Sequence, residues 1–210
     1  MGNACSVDSL AWAPTLFSTA APGLDVELRG LVHHDLGDGA WVDHTAAWMS
    51  GAAAVFDRLV AALSWTARQV PMYGSLLDEP RVTARWPGPA VDPVAGPLVE
   101  QARELLADRY GVALTGPGAN LYRDGRDSVA WHGDRVMRER ATALVAIVSL
   151  GEARPFRLRP VGGGASRGFA LGHGDLLVMG GTCQRTWQHC VPKVRRAGPR
   201  LSLTFRHGAA

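Results

Sequence analysis

The sequence predicts an α+β domain, mainly β, in which two helices pack on an all-β sandwich or barrel, and three observations carry that prediction. From residue 118 onward, eight short β-branched or apolar runs recur at intervals of about ten residues, bounded by Gly, Pro or charged turns. Upstream, two stretches space their apolar residues as helices do. The 210 residues, 47% hydrophobic with 25 glycines and 13 prolines, can bury one sizeable core but leave little for a second.

Taken in order, residues 1–40 are punctuated by Gly, Pro and Asp and read as an irregular lead-in with one strand near "LDVELRGLVH". Residues 45–63, "TAAWMSGAAAVFDRLVAAL", set Trp48, Val55, Phe56, Leu59, Val60 and Leu63 at helical spacing, which predicts an amphipathic helix. A second helix is expected over 93–109, opened by Asp92-Pro93, with Val99, Ala102, Leu105 and Leu106 on one face and Tyr110-Gly111 ending it. Between them "PMYGSLLDEPRVTARWPGPA" reads as a long connection that keeps Tyr73, Arg81, Arg85 and Trp86. Connections of that length tend to be functional. The eight expected strands are "ANLYR", "SVAWH", "ATALVAIVSL", "PFRLRP", "RGFALG", "DLLVMG", "TWQHCV" and "RLSLTFRH".

Composition narrows the setting. The longest apolar runs, such as "TALVAIVSL", are too short to cross a bilayer as a helix, and no charged n-region with an apolar h-region suggests a secretory signal. "MGNACS" matches a loose myristoylation pattern with Cys5 as a palmitoylation candidate, but no polybasic patch supplies a second anchor, so lipidation is not expected. Cys5, Cys183 and Cys190 form neither a disulfide framework nor a CxxC pair, which favours a reducing, cytoplasmic setting. Charge is divided unevenly: residues 1–117 hold 7 Lys/Arg against 13 Asp/Glu, a formal −6, whereas residues 118–210 hold 15 against 6, a formal +9. A basic second half suits a polyanionic partner, nucleic acid above all, although an Arg-rich solvated surface would give the same count.

The chemistry begins at "VAWHGDRV". On a strand, residues two apart share a face, so His132 and Asp134 direct an imidazole and a carboxylate to a common point. A facial triad of two histidines and one carboxylate, with open positions for co-substrate and dioxygen, needs one more imidazole. His173 lies in the Gly-flanked "LGHGDL" and His207 sits beside the C-terminus, whereas His189 lies in the strand-like "TWQHCV" and is preferred. Cys190, the next residue, points to the opposite face. In "PRLSLTFRH", Arg200, Ser202, Thr204 and Arg206 share one face, while Leu201, Leu203 and Phe205 share the other. Two arginines on one strand face must meet solvent or an anion. A dicarboxylate that chelates iron at one end and is clamped by arginine at the other satisfies the whole pattern.

At this point "NLYRDGRDSVAWHGD", "IVSLG", "HGDLLVMGG", "WQH" and "GPRLSLTFR" together resemble the AlkB family of iron(II)/2-oxoglutarate dioxygenases, which repair alkylated bases in nucleic acids. The resemblance covers roughly residues 70–207 in consistent order. It implies a double-stranded β-helix, or jelly roll, with N-terminal helices: a single catalytic domain over 41–210, with a nucleotide-recognition lid over about 70–92 and the jelly-roll core over 115–207. By the same resemblance His132, Asp134 and His189 are the Fe(II) ligands, and Asn120 and Tyr122 hydrogen-bond 2-oxoglutarate. Arg200 pairs with its distal carboxylate, and Thr204 and Arg206 complete that pocket. Dioxygen is the second co-substrate. The implied partner is alkylated DNA or RNA, met single-stranded or as a flipped base, and the protein is expected to be a monomer. Aromatic faces stack on extruded bases, which makes Trp86 and Tyr73 candidates for base contact, with Arg81 beside them; packing of Trp86 into the core is the alternative.

Two departures bear on substrate. Where the family often has an acidic residue one or two positions after the iron-binding Asp, this chain has Arg135 and Val136, which leaves Arg135 as the base-side candidate and no carboxylate for a cationic base. The stretch after Trp86 is also shorter than in relatives that continue with a further aromatic segment. The implied reaction is oxidative demethylation of 1-methyladenine and 3-methylcytosine, releasing formaldehyde and succinate. The alternatives are the same chemistry on RNA or on a protein side chain, and a non-catalytic nucleic-acid-binding module with a structural zinc. Structural zinc sites usually close tetrahedrally with sulfur or a fourth ligand, which would leave Arg200 and Arg206 without a purpose.

Overall fold

The computed structural model describes residues 3–4, 20–72, 75–134 and 140–208. Short strands β1 (Asn3–Ala4), β2 (Gly23–Leu24), β3 (Val32–Gly37), β4 (Ala40–Thr45) and β5 (Met49–Ser50) precede helix α1 (Ala52–Ala62). Strands β6 (Thr66–Met72) and β7 (Ser75–Arg85) lead to α2 (Ala95–Tyr110). Then come β8 (Gly118–Tyr122), β9 (Val129–His132), β10 (Val145–Gly151), β11 (Arg154–Pro160), β12 (Arg167–Leu171) and β13 (Asp175–Gly181). A single-turn helix α3 (Cys183–Thr186), β14 (Trp187–Val191) and β15 (Arg200–Arg206) complete the chain.

A nine-stranded sheet runs in the order β1-β6-β7-β8-β15-β10-β13-β4-β3, and a four-stranded sheet in the order β12-β11-β14-β9, with antiparallel neighbours throughout. Strict alternation along the large sheet builds two apolar layers. Ala146, Val148, Leu150, Leu176, Val178, Leu201, Leu203 and Phe205 face the helices, where they meet Phe56 and Leu59 of α1 and Val99, Ala102 and Leu106 of α2. Val145, Ile147, Leu177 and Met179 point the other way and meet Phe156, Leu158 and Val191 of the small sheet. Two facing antiparallel sheets with helices on the outer face of the larger one make the expected jelly roll. Among the described residues no helix is long and apolar enough to cross a membrane.

All eight strands expected after residue 118 are present as β8 to β15. Helix α2 matches its expected span, and its start follows from Asp92, whose Oδ1 accepts the Val94 and Ala95 backbone N–H groups at 2.9 and 2.7 Å. Its end is set by Gly111 in the left-handed region, φ 64°, whose N–H reaches the Ala107 carbonyl.

Upstream the structure differs from expectation. The helix expected over 45–63 begins only at Ala52: Thr45 closes β4, which pairs with β13, Met49–Ser50 forms β5 paired to β2, and Ala47 and Gly51 have positive φ, 51° and 57°. The lead-in likewise holds more sheet than expected: β3 and β4 form a hairpin whose turn, Asp38-Gly39, has positive φ at both residues, 51° and 73°. That Asp-Gly pair is the two-residue hairpin signal, and it was the local clue to the edge of the large sheet. The connection after α1 is also strand rather than loop. In β7 Val82 and Ala84 are buried while Arg81, Thr83 and Arg85 face away, and the shifted register opposite Ala67 and Gln69 accommodates Pro80, which has no N–H to donate. Cys183 and Cys190 are buried free thiols, whereas Cys5 and the rest of the lipidation motif apart from Asn3 and Ala4 lie outside the described residues.

Candidate active site

The sheets enclose a cavity of about 200 Å³ between β8, β10 and β15 on one side and β9, β11 and β14 on the other. Cross-strand register brings His132 and His189 together: they are direct partners on β9 and β14, with ring centroids 4.3 Å apart. Phe156 stacks on His189 at 5.4 Å and 22°, fixing that ring from the third strand. His132 Nδ1 lies 2.9 Å from the Ala130 carbonyl. Donation from Nδ1–H to that oxygen leaves Nε2 as a lone-pair donor. Burial foremost, helped by the neighbouring His132 and opposed by Asp134, pushes the His189 pKa down to about 3, so its imidazole is neutral.

Asp134 lines the same cavity, and its backbone N–H donates to Gln184 Oε1 of α3 at 3.2 Å. Burial alone would raise its pKa, but the hydrogen bond and charge of Arg206 hold it below the usual carboxylate range. Arg206 Nε donates to Oδ2 at 2.7 Å and Nη2 to Oδ1 at 3.5 Å. Among the described residues no three His, Cys, Asp or Glu side chains are gathered closely enough to hold a metal ion as they stand. The carboxylate that would complete a set with the two imidazoles is engaged by Arg206 instead. The donor types themselves, two imidazoles and one ionised carboxylate on one cavity, suit divalent iron.

Arg200 sits deeper, only 1% exposed. Its Nε donates to Ser149 Oγ at 2.8 Å and its guanidinium lies 5.4 Å from the centre of the Tyr122 ring, while its buried Nη2 has no hydrogen-bond partner among the described residues. Burial pushes its pKa down to about 10. Arg154, equally buried, also leaves a nitrogen, Nε, without a partner among the described residues, but its terminal nitrogens are spent on the carbonyls of Asp124, Asp127 and Pro192. Arg200 thus offers an unused donor and an unneutralised charge to the cavity, as the distal carboxylate of a dicarboxylate requires.

The cavity gathers Asn120, Tyr122, His132, Asp134, His189, Arg200, Thr204 and Arg206, and Arg81 enters it with Nε 3.2 Å from Asn120 Oδ1. Trp86 is not among its lining residues. It packs with the core beneath the helices, and so closely on Gly116 that an added Cβ there would lie 2.9 Å from its Cδ1. Tyr73 and Arg135 lie outside the described residues. Sequence reasoning missed Ser149, Phe156 and Gln184, common residue types whose roles exist only once strands and a short helix bring them to the arginine, the imidazole and the Asp134 backbone.

A family model described as the 2OG-Fe(II) oxygenase superfamily matches residues 59–206. The alpha-ketoglutarate-dependent dioxygenase alkB homolog 3 of Bos taurus is 31% identical over 178 residues, covering 74% of this chain and 61% of that protein. The DNA oxidative demethylase ALKBH2 of Arabidopsis thaliana is 35% identical over 111 residues, covering 41% of this chain and 35% of that protein. The solved structure of OsALKBH1 superposes with a TM-score of 0.53 at 14% identity, over 84% of this chain and all of that one, a likeness of fold. The chain therefore belongs to the 2OG-Fe(II) oxygenase superfamily, in its AlkB branch. Membership implies Fe(II), 2-oxoglutarate and dioxygen. The chain spans about three fifths of the length of the first of these relatives.

Proposed function

We propose that this dioxygenase oxidatively demethylates N-alkylated bases, 1-methyladenine and 3-methylcytosine, in DNA and RNA, releasing formaldehyde and succinate. The observation that carries the dioxygenase half of this reading is the buried, unpartnered Nη2 of Arg200 on a cavity that also holds paired imidazoles and a carboxylate. The nucleic-acid half is supported by the basic second half of the chain and by relatives named for DNA demethylation.

In this reading His132, Asp134 and His189 hold the iron, and Arg200 holds the distal carboxylate of 2-oxoglutarate with Asn120, Tyr122 and Thr204 around it. Iron and 2-oxoglutarate, when bound there, would let dioxygen act as the oxidant: one of its oxygen atoms would end in succinate as carbon dioxide leaves, and the other in the hydroxylated N-methyl group. The residues themselves bind, orient and exclude water. Ser149 anchors the Arg200 guanidinium through Nε, so that its remaining donors face the cavity. Phe156, Val145, Ile147 and Val191 make the cavity walls apolar around the donors. Arg206 pairs with Asp134 and orients its carboxylate. Methylation on the Watson–Crick edge weakens pairing and lowers the cost of extruding the base to the cavity.

The test is turnover of a single-stranded oligonucleotide carrying one 3-methylcytosine, with formaldehyde and base mass as readouts. Loss of one methylene that requires 2-oxoglutarate, oxygen and an intact His132 is expected. Succinate release without base repair would keep the oxygenase and move its substrate elsewhere.

A further inference from the structure

A second concavity, roughly 870 Å³, opens off the cavity and shares Arg81, Asn120 and Arg206 with it. It arises because the large sheet outruns the small one: β6 and β7 extend beyond β8, while the four-stranded sheet holds only β9, β11, β12 and β14. The polar face that lines the active site is therefore carried onward. The register shows this directly, since Thr66, Thr83, Asn120, Ser202 and Ser149 are successive cross-strand partners from β6 to β10. One row over, Arg85 is paired to Gly118 and Gly118 to Thr204. Arg206 reaches back across this row, its Nη1 lying 3.4 Å from where a Cβ on Gly118 would sit.

Among the described residues, every charged side chain lining this trough is an arginine: Arg68, Arg81, Arg85 and Arg206. Arg81 is paired with Glu79 and Arg206 with Asp134, but the exposed Arg68 and Arg85 have no ion-pair partner among the described residues. The rest of the described lining is small: Ser64, Thr66 and Thr83 supply hydroxyls, and among the described residues no Trp, Tyr, Phe, Leu or Met lines it to anchor a protein partner. Arginines with small hydroxyls are the side chains that contact phosphate oxygens.

Resting on the nucleic-acid reading above, we propose that this trough binds the phosphodiester backbone of the substrate strand next to the extruded base, with Arg68 and Arg85 as its phosphate contacts. The two arginines position the strand. They touch neither the reacting methyl group nor the co-substrate.

The test uses the full chain loaded anaerobically with Fe(II) and 2-oxoglutarate, and measures binding of a single-stranded deoxyoligonucleotide by fluorescence anisotropy across a salt series. Each lost phosphate contact lowers the magnitude of the slope of log K against log salt by about 0.7. Arg68→Gln with Arg85→Gln is expected to lower it by about 1.4, and Arg68→Lys with Arg85→Lys to retain it, because lysine keeps the charge. An unchanged slope in the glutamine variant, with the wild type still binding, would overturn the trough and leave the nucleic-acid reading standing. A lysine variant as weak as the glutamine one would also overturn it, since charge would not be the basis. A wild type that binds no oligonucleotide would overturn both readings.

Discussion

A guanidinium that is 1% exposed, has no carboxylate partner among the described residues and leaves Nη2 unbonded costs folding free energy. Arg200 is retained at that cost, and the dicarboxylate explains why. Replacement by methionine should lower 2-oxoglutarate affinity by about two to three orders of magnitude, the effect of removing one partner of a buried charge pair. It should leave stability in urea unchanged or raised, because an unpaired buried charge is gone. Loss of stability with unchanged affinity would show Arg200 to be structural. His173 carries a second residue-scale prediction. The Gly151 N–H donates to its Nδ1 at 2.8 Å, which requires a neutral ring, and burial foremost lowers its pKa against the opposing pull of Asp175 and Asp57. As pH falls below the ordinary value of about 6.5 the unfolded chain therefore takes up this proton first. The stability it contributes is complete above that value and is lost as pH drops toward the folded pKa. His173→Gln should flatten the decline in urea midpoint over this window, and an unchanged decline would remove His173 as its source.

At the scale of elements, helix α1 is held to the large sheet by Phe56, 2% exposed, and by the fully buried Val55 and Leu59. Phe56→Ala should cost about 3–5 kcal/mol, read as a lower urea midpoint at unchanged slope. A loss below about 1 kcal/mol would mean that α1 is not packed as described. Legibility varied among elements for physical reasons. Strands β8 to β15 were readable because alternation and turn residues agree, and β15 announced both of its faces: Leu201, Leu203 and Phe205 on the helix side, Ser202, Thr204 and Arg206 on the cavity side. The start of α1 was not readable, because the apolar spacing continues back through Trp48, whereas the backbone there is held out of the helix by the pairing of Met49–Ser50 with β2 and by positive φ at Ala47 and Gly51. Strands β6 and β7 were hidden by prolines, which read as loop until a shifted register absorbs them.

For the whole molecule, the jelly roll solves a problem of distance: residues 57 positions apart in the chain, His132 and His189, become direct partners across two strands. The sequence supplied the residue types and the shared faces of the site, and the family resemblance supplied their assignment. What it could not supply were the contacts that depend on neighbours, such as Ser149 beneath Arg200, Gln184 behind Asp134, and Trp86 packed on Gly116 rather than lining the cavity. The same extended sheet that aligns the histidines also carries its polar face past the small sheet, so cavity and trough are parts of one surface. The most direct test of the account is an anaerobic titration of the protein with Fe(II) and 2-oxoglutarate, following the visible charge-transfer absorption of the ternary complex. The band should form in the wild type, be lost in His132→Ala and His189→Ala, and form in Arg200→Met only at 2-oxoglutarate concentrations about a hundredfold or more higher. A folded wild type that gives no band, or an Arg200→Met variant that titrates like the wild type, would contradict the assignment of this cavity.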